Sequence, residues 1–327
     1  MIISRTPLRV SFAGGGTDLA VFYTRESGEV VSTAINKYMY VTVNKRFDDS
    51  IRLSYTRTEI VGDVEELQHE LVKAAMKLAG VTKGIEITTI ADIPARGTGL
   101  GSSSSLTVGL LNALYAYRNK RVPTKRLAEE ACRIEIDILG EPIGKQDQYI
   151  AAYGGMKHFV FKPDNDVIVE PLLIKRARVR KLQANLMMFY TNITRDAHSV
   201  LSEQKRRSEN NFAELTSLKA LVRPLVTCLE KGSQDIGMFG KILHDGWEHK
   251  KRLASNISNE AIDGYYRKAR KAGATGGKIL GAGGGGFLLL YCKKERQKKV
   301  KVALKGLKHV PIEFEPEGSR IIYADYK

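Results

Sequence analysis

Alternating and helical patterns of apolar residues place a strand and a helix on either side of one glycine-rich loop. Residues 84–93 (GIEITTIADI) alternate apolar and polar side chains, which predicts a half-buried strand. Leu106, Leu110 and Leu114 then recur four residues apart, as on one face of a helix. Residues 94–105 (PARGTGLGSSSS) therefore form a loop that leads from a strand into the N-terminus of a helix.

The same patterns predict the other elements of the chain. Strands are predicted over residues 1–10, 28–45, 52–55, 159–173, 186–190, 287–292 and 320–323. Helices are predicted over residues 64–78, 123–139, 197–212, 215–231, 236–254, 260–272 and 293–308. Residues 144–155 are predicted as a loop. The basic run 175–181 (KRARVRK) is the best candidate for a domain boundary, and a solvated edge strand is the alternative interpretation. Because strands and helices alternate irregularly, we expect an α+β fold rather than a doubly wound sheet.

The loop at residues 94–105 has the composition of an anion-binding site. Gly97, Gly99 and Gly101 allow the backbone to come close to a ligand. The helix that follows adds unpaired amide groups and the positive end of its dipole, both of which favour a phosphate. The serines can cap this helix or offer a hydroxyl group to a metal. A flexible turn with an N-capping serine is the alternative interpretation of the same residues.

Two well-known nucleotide-binding motifs do not fit the chain. A Walker loop needs GxxxxGK followed by Ser or Thr, and no stretch of the sequence matches it. The glycines in residues 281–286 spell GxGxxG, but an apolar, strand-like run follows them. A dinucleotide fingerprint requires a strand before the glycines and a helix after them. We therefore expect neither of these sites.

Three acidic residues lie in or beside polar loops, and each has an ordinary structural interpretation. Asp18 ends residues 12–18 (FAGGGTD), which form either a second loop close to a ligand or a hairpin turn with an aspartate cap. Glu135 lies at the margin of the apolar stripe of its predicted helix, where a solvated boundary residue is the simplest interpretation. Asp147 lies between two glutamines in a predicted loop, where an acidic residue is commonly a cap.

Charge and cysteine content narrow the classes of partner. The 327 residues, enough for two domains, include 52 basic and 36 acidic side chains, for a formal net charge of +16. This charge favours anions, but the basic residues are scattered and only 8% of residues are aromatic, which disfavours nucleic acid.

Cys132, Cys228 and Cys292 form no CxxC pair, which indicates a reducing cytoplasm. No apolar run predicts a membrane span or a signal sequence.

The order of the motifs resembles that of the GHMP kinase superfamily, the small-molecule kinases that include galactokinase and mevalonate kinase. The first family motif corresponds to residues 6–18 of this chain. The second, a proline followed by GLGSS, corresponds to Pro94, Gly99, Leu100, Gly101, Ser102 and Ser103. The third, a lysine ahead of a glycine-rich loop, corresponds to residues 278–287. The resemblance thus covers nearly the whole chain.

The resemblance implies a two-lobed α+β fold with the active site in the cleft between the lobes. The N-terminal lobe, residues 1–178, would resemble the second domain of ribosomal protein S5. The C-terminal lobe, residues 179–327, would be a ferredoxin-like α/β sandwich.

The resemblance also implies roles for individual residues, with ATP and Mg²⁺ as cofactors. The ATP-binding residues would be Pro94, Gly97, Gly99, Leu100, Gly101, Ser102, Ser103 and Ser104. The substrate-binding residues would be Gly16, Thr17, Asp18, Arg195, Gly283 and Gly284. Ser103, or its neighbour Ser102, would ligate the metal together with Glu135. Asp147 would accept, or orient, the proton of the attacking hydroxyl, with Arg9 between it and the γ-phosphate.

The first motif departs from that of sugar kinases such as galactokinase. Residues 14–18 are GGGTD here instead of Gly-Glu-His-Thr-Asp, so we do not expect galactose as the substrate. The segments AGGGTD, GKQDQYIAAYGG and FYTNITRDA are most similar to the branch that phosphorylates the anomeric hydroxyl of D-glycero-D-manno-heptose 7-phosphate. The resemblance therefore implies a cytoplasmic kinase that makes the 1,7-bisphosphate for nucleotide-activated heptose, on the way to surface polysaccharide.

Other functions stay open from the sequence. Heptose 1-phosphate, fucose or a mevalonate-type alcohol would fit the same family motifs. An RNA-binding protein is a further alternative, because the N-terminal lobe of the family shares its fold with ribosomal proteins and the net charge is high. The expected partners are a sugar phosphate and ATP, without nucleic acid or membrane, and a homodimer is compatible with the sequence.

Overall fold

The computed structural model describes residues 1–94, 97–194, 200–203, 207, 211–231 and 236–325. Within these residues the chain forms two β-sheets and a set of helices that cover them. The predicted mixture of α and β structure is therefore confirmed. The predicted division of the chain at residues 178 and 179 stays a prediction.

The larger sheet has eight strands and is built mostly from the N-terminal half of the chain. Its strands are β1 (Ile2–Ala13), β2 (Gly28–Lys45), β3 (Ile51–Ser54), β4 (Thr58–Val61), β5 (Ile85–Ala91), β6 (Met156–Phe161), β7 (Val167–Pro171) and β12 (Arg320–Ala324). The main path runs β12-β1-β2-β5-β3-β4, and β6 joins β2 to β7. The 18-residue β2 pairs with β6 through its first half and with β5 through its second half.

The smaller sheet has four antiparallel strands and comes from the C-terminal half. Its strands are β8 (Leu186–Tyr190), β9 (Gly276–Ile279), β10 (Phe287–Tyr291) and β11 (Lys308–Val310), in the order β11-β8-β10-β9. All five residues of β10 are buried, as expected of a strand that has a neighbour on each side.

The helices occupy the faces of the two sheets. They are α1 (Ala20–Tyr23), α2 (Glu70–Ala79), α3 (Ser102–Tyr117), α4 (Thr124–Cys132), α5 (Gln146–Tyr153), α6 (Arg176–Ala184), α7 (Phe212–Ala220), α8 (Val222–Glu230), α9 (Met238–Lys251), α10 (Glu260–Ala272) and α11 (Gln297–Ala303). Residues 133–138 continue α4 as a π-helix. The chain also forms 3₁₀ turns at Val64–Glu66 and Lys294–Arg296.

One apolar cluster joins the two sheets and fixes the direction of β1. Leu8, Val10 and Phe12 pack in this cluster together with side chains of β10 and α9. The ring of Phe12 lies 5.0 Å from the ring of Phe239 on α9. Because strand side chains alternate, the intervening Arg9 and Ser11 lie on the other face of β1.

Several predicted boundaries are wrong for identifiable physical reasons. The predicted helix 64–78 is interrupted, because Asp63 caps a 3₁₀ turn and Leu67 is extended before α2 begins. The predicted loop 144–155 contains the helix α5, whose buried face Tyr149–Ala152 is hidden in the sequence by its polar first turn. The basic run 175–181 lies mostly in α6 and not in an edge strand.

The C-terminal elements are also shorter than predicted. The predicted helix 293–308 ends after α11, and its last residue begins β11. The predicted helix 215–231 is divided at Leu221 into α7 and α8. The prediction for residues 197–212 falls mostly outside the described residues. By contrast, α10 has the predicted bounds.

All three cysteines are buried, and none of the three forms a disulfide, which agrees with the absence of a disulfide framework in the sequence. Across the described ranges, no helix is both long enough and apolar enough to cross a lipid bilayer.

A histidine bridges two carboxylates on the larger sheet. His158 on β6 lies 2.8 Å from Glu170 through Nδ1 and 3.0 Å from Glu29 through Nε2. Burial alone would lower the pKa of His158, but the hydrogen bonds to the two carboxylates outweigh it and raise the pKa above the ordinary value of 6.5. The hydrogen bond from His158 lowers the pKa of Glu29 below 4.5.

The protonated His158 therefore contributes stability at mildly acidic pH that disappears as the pH rises. The folded state keeps a proton that the unfolded state releases above 6.5, so stability falls through the raised pKa of His158. We expect the melting temperature of the wild type to decline between about pH 6 and pH 8 more steeply than that of His158→Gln. Thermal unfolding followed by circular dichroism measures both slopes, and parallel slopes would contradict this expectation.

Candidate active site

The glycine-rich loop turns sharply into the N-terminus of α3. Gly97, Gly99 and Gly101 all have positive φ values, of 68°, 72° and 74°. Gly101 occupies the N-cap position of α3, and the amide of Arg9 on β1 donates to the carbonyl of Leu100 at 3.0 Å. The loop is therefore anchored to β1, and the unpaired amides of the first turn of α3 lie beside it.

The second glycine-rich segment, residues 280–286, lies directly against the first. A Cβ atom at Gly281 would lie 2.3 Å from the Cα of Gly99, and one at Gly286 would lie 2.4 Å from the carbonyl oxygen of Thr98. Such distances exclude a side chain at either position. Two glycine turns that are far apart in the sequence thus meet at backbone contact.

Arg9 and Asp147 form a bidentate ion pair beside this contact. Arg9 donates through Nε and Nη2 to the two carboxylate oxygens of Asp147, at 2.7 Å and 2.6 Å. Its Nη1 donates to the carbonyl oxygen of Gly99 at 2.6 Å. One guanidinium group therefore fixes a carboxylate of α5 against the glycine loop, and two of its five N–H groups have no partner among the described residues.

Asp18 holds the start of α5 in position. Its carboxylate accepts from the amide of Gly16 at 2.9 Å and from the backbone and side-chain nitrogens of Gln146 at 3.2 Å and 3.1 Å. Burial and the charge of Asp147 raise the pKa of Asp18. A Cβ atom at Gly144 would lie 2.0 Å from Oδ2 of Asp18, so glycine is required there. The GGGTD turn and the helix that carries Asp147 are one unit.

Glu135 is buried, which the sequence pattern did not indicate. The π-helix at residues 133–138 adds one residue to the turn, and Glu135 is only 1% exposed. It accepts hydrogen bonds from the hydroxyl of Ser103 and, at 2.6 Å, from Nε2 of Gln148. Burial raises the pKa of Glu135 to about 7, although these hydrogen bonds oppose the shift. The interpretation of Glu135 as a solvated boundary residue is therefore wrong.

Oxygen atoms that could hold a divalent cation converge at this point. They are the hydroxyl of Ser103, the carboxylate of Glu135 and Oε1 of Gln148, which is buried without a hydrogen-bond partner in the described structure. Hard oxygen donors of this kind suit Mg²⁺, which also keeps several water ligands. A cation would supply the positive charge that a buried carboxylate needs.

A cavity of about 280 Å³ opens beside Ser103 and Glu135. Its other walls include Tyr55, His69 and Leu71, and the rings of Tyr55 and His69 meet edge to face with their centres 4.8 Å apart. The remaining walls include the charged side chains of Arg57 and Glu141, so the cavity combines aromatic, apolar and charged surfaces beside the N-terminus of α3. Aromatic surfaces next to polar groups suit a flat base with a charged tail.

The other predicted site residues lie at different distances from this centre. Thr17 is fully buried, and its hydroxyl donates to the carbonyls of Gly14 and Glu29 at 2.8 Å and 2.9 Å. That hydroxyl holds the turn together, and a sugar contact of Thr17 stays a prediction. Pro94 is exposed at the start of the loop. Arg195 lies outside the described residues.

The glycines predicted to bind substrate lie in the second glycine segment. The amide of Gly284 donates to the carbonyl of Ile257 at 2.8 Å, and a Cβ atom at Gly283 would lie 2.9 Å from the side chain of the same isoleucine. Ser102 and Ser104 are buried in the first turn of α3. The structure therefore gathers both glycine segments around Arg9, while the binding roles of these residues stay predictions.

Sequence reasoning missed three polar residues that belong to this centre. Gln148 bonds Glu135, but a glutamine in a short helix gives no functional signal. Lys278 was recognised only as the start of a motif, and it is buried on β9. Lys250 is buried at the end of α9, where its sequence context EHKK is typical of a solvated helix end.

Comparison with known proteins assigns the class of this site. Residues 67–155 match the N-terminal domain of the GHMP kinases, and residues 217–308 match their C-terminal domain. The chain is 31% identical to a D-glycero-alpha-D-manno-heptose 7-phosphate kinase from Campylobacter jejuni, over 93% of each chain. The chain therefore belongs to the GHMP kinase family, as the motifs predicted.

Two further relatives define the range of similarity. A crystal structure of a D-glycero-D-manno-heptose 1-phosphate kinase from Bacteroides thetaiotaomicron superposes with a TM-score of 0.83 at 28% identity, over the full length of both chains. The L-fucokinase/L-fucose-1-P guanylyltransferase of Bacteroides fragilis is 28% identical over 90% of this chain, which spans only 35% of that longer protein. The fold of the family, with its N- and C-terminal domains, is thereby confirmed.

The backbone contact between the glycine segments predicts a large effect of one added methyl group. A Cβ atom at Gly99 would lie 2.3 Å from the carbonyl oxygen of Leu280, and the residue has φ +72°. We expect Gly99→Ala to lower the free energy of unfolding by about 2 kcal/mol or more, as measured by urea titration.

Gly264→Ala is the matched control for Gly99→Ala. Gly264 lies within α10 and has no atom within 4 Å of an added Cβ, so alanine should stabilise the protein by about 0.5–1 kcal/mol. If Gly99→Ala were as stable as this control, the two glycine segments would not be in contact.

Proposed function

We propose that the protein transfers the γ-phosphoryl group of ATP to the anomeric hydroxyl of D-glycero-D-manno-heptose 7-phosphate, giving the 1,7-bisphosphate. The observation that carries the proposal is the bidentate pair of Arg9 and Asp147 at the junction of the two glycine segments. Similarity over 93% of the chain to a heptose 7-phosphate kinase supports the choice of sugar. The product would serve the formation of nucleotide-activated heptose for surface polysaccharide.

The nucleotide would lie across the N-terminus of α3. The cavity beside Tyr55 and His69 would take the adenine base, and the loop from Gly97 to Ser104 would hold the phosphates. Positive φ values at three glycines leave the loop backbone open to close approach, which supports phosphate binding.

Mg²⁺ would be held by Ser103 and Glu135, with the unpartnered Oε1 of Gln148 close to them. When bound, the cation neutralises charge on the β- and γ-phosphates. The pKa of Glu135 is about 7, and a nearby cation would lower it. The carboxyl group would therefore be ionised when the cation is bound. The residues present therefore fit this metal.

Asp147 and Arg9 would perform the transfer step. The anomeric oxygen attacks the γ-phosphorus while the bond from that phosphorus to the β–γ bridging oxygen breaks, and ADP leaves. The proton of the hydroxyl passes to Asp147, which Arg9 holds in place. The two remaining N–H groups of Arg9 would face the charge that develops on the transferred group.

The sugar would lie against the GGGTD turn and the start of α5. Ser11 lies opposite Ser32 across β1 and β2, and its buried hydroxyl has no hydrogen-bond partner in the described structure. A Cβ atom at Gly15 would lie 3.5 Å from this hydroxyl and 3.7 Å from the side-chain nitrogen of Gln146. An unsatisfied hydroxyl and an amide beside Asp18 suit a sugar with several hydroxyl groups. Arg195 remains the proposed ligand of the 7-phosphate.

A panel of acceptors tests the proposed substrate. ADP release would be measured by a coupled assay with heptose 7-phosphate, heptose 1-phosphate, fucose, galactose and mevalonate, and phosphorus NMR would locate the new phosphate. Heptose 1-phosphate belongs in the panel because a similar structure described above is named as a kinase of that sugar phosphate. We expect the highest kcat/KM with heptose 7-phosphate, and a clear preference for another acceptor would overturn the proposal.

Asp147→Asn removes the proton acceptor but keeps the shape of the side chain. We expect kcat to fall by about 10²–10⁴-fold, because a positioned general base contributes this much to proton transfer. ATP binding, measured by calorimetry, should change little, since Asp147 faces Arg9 and not the cavity. Near-normal turnover would show that Asp147 is not the base.

A further inference from the structure

Two lysines that the proposed reaction does not use are buried beside the contact between the two glycine segments. Lys250 is in the last turn of α9 and is 9% exposed, and Lys278 is on β9 and is 8% exposed. Lysine is rarely buried to this degree unless an anion or a set of acceptors compensates its charge. Their surroundings therefore need an explanation.

Among the described residues, Lys250 is hydrogen-bonded only to backbone oxygens. Its Nζ donates to the carbonyl of Gly281 and approaches that of Ile279 at 3.5 Å. Lys250 thus ties α9 to the first glycine of the second glycine segment. No carboxylate of the described residues is within ion-pair distance of it.

The side chain of Lys278 has neither a hydrogen bond nor an ion pair among the residues that the structure describes, although its backbone pairs with β10. Burial, and then the charge of Arg9, lower the pKa of Lys278 to about 8. Burial likewise lowers the pKa of Lys250, and the charges of Lys278 and Arg9 add to the effect. The three cations are therefore close enough to repel one another.

The carboxylates of the site are already engaged elsewhere. Asp147 is clamped by both donors of Arg9, and Asp18 is held by the amide groups of Gly16 and Gln146. Their charges reach Lys250 only at longer range. A buried ammonium group without a counter-ion is costly, so an anion from outside the chain would complete this arrangement.

We propose that Lys250 and Lys278 form a phosphoryl-binding site at the junction of the two glycine segments. The site would take either the γ-phosphate of the nucleotide or the phosphate group that the acceptor brings, and in this respect it rests on the proposed function. A dianionic phosphoryl group balances two ammonium groups, whereas a single carboxylate would leave one charge uncompensated. Lysine binds phosphate as a compact point charge with three donors.

The location favours a phosphoryl group that takes part in the reaction. Lys250 holds the carbonyl of Gly281, and Gly281 touches Gly99, whose carbonyl accepts from Arg9. The site is therefore continuous with the pair that would perform the transfer. An anion held by Lys278 would also relieve the repulsion among the three cations.

Lys278→Met is the informative variant, because Lys278 makes no internal hydrogen bond that the substitution would break. Lys250→Met serves as a second variant, and Lys268→Met on the exposed face of α10 is the matched control. Circular dichroism establishes that each variant is folded. The first probe is inorganic phosphate, whose stabilisation of the wild type against heat requires no knowledge of the sugar.

We expect phosphate to raise the melting temperature of the wild type and of Lys268→Met, and to raise that of Lys278→Met much less. Two further measurements identify which phosphate group the site binds. Weaker binding of a non-hydrolysable ATP analogue, with ADP unchanged, assigns the site to the γ-phosphate. A raised KM for the phosphorylated acceptor, with the unphosphorylated sugar unchanged, assigns it to the acceptor. Either loss should be at least about tenfold.

The proposal is overturned if folded Lys278→Met responds to phosphate as the wild type does and also binds the ATP analogue, ADP, the phosphorylated acceptor and the unphosphorylated sugar normally. It is also overturned if phosphate does not stabilise the wild type. Failure of heptose 7-phosphate as a substrate is a separate result, because the phosphate and nucleotide arms do not use the sugar. In that case the acceptor arm is run with the best phosphorylated substrate of the panel.

Discussion

The ion pair between Arg9 and Asp147 joins parts of the chain that are 138 residues apart in sequence. Arg9 comes from the first strand, and its remaining bond to Gly99 extends the link to the glycine loop. Because a bidentate pair fixes both distance and angle, β1, α5 and the loop at α3 cannot shift independently. The chemistry of the site therefore depends on rigid elements rather than on a single flexible loop.

Close backbone packing gives this centre its second constraint. Gly99, Gly281 and Gly286 approach other main-chain atoms so closely that no side chain fits. The apolar cluster around Phe12 and Phe239 presses the two sheets together from the other side. Core packing and glycine contacts thus both hold the two sheets together, and the two halves of the chain share one site.

Structural features that depend on local sequence patterns could be predicted from the sequence. Features that depend on where a residue lies in the folded molecule could be predicted less well. Gly99 and Asp147 were identified from motif order, because turn chemistry and family motifs are local signals. The helix that carries Asp147 was not predicted, because its first turn is polar and the apolar residues of its buried face follow only later. The burial of Glu135 depends on a π-helix, which the apolar spacing does not encode. Lys250 looked like a solvated lysine, since its partners are distant backbone oxygens.

The last strand of the larger sheet has a consequence for how the protein folds. β12 pairs with β1, and the hydroxyl groups of Thr6 and Ser319 meet at 2.8 Å across 313 residues of sequence. During synthesis on the ribosome, the strand that bears Arg9 has an open edge until residues 320–324 have emerged. Because closing so long a loop is slow, this edge of β1 stays exposed to pairing with other molecules while the rest of the chain folds.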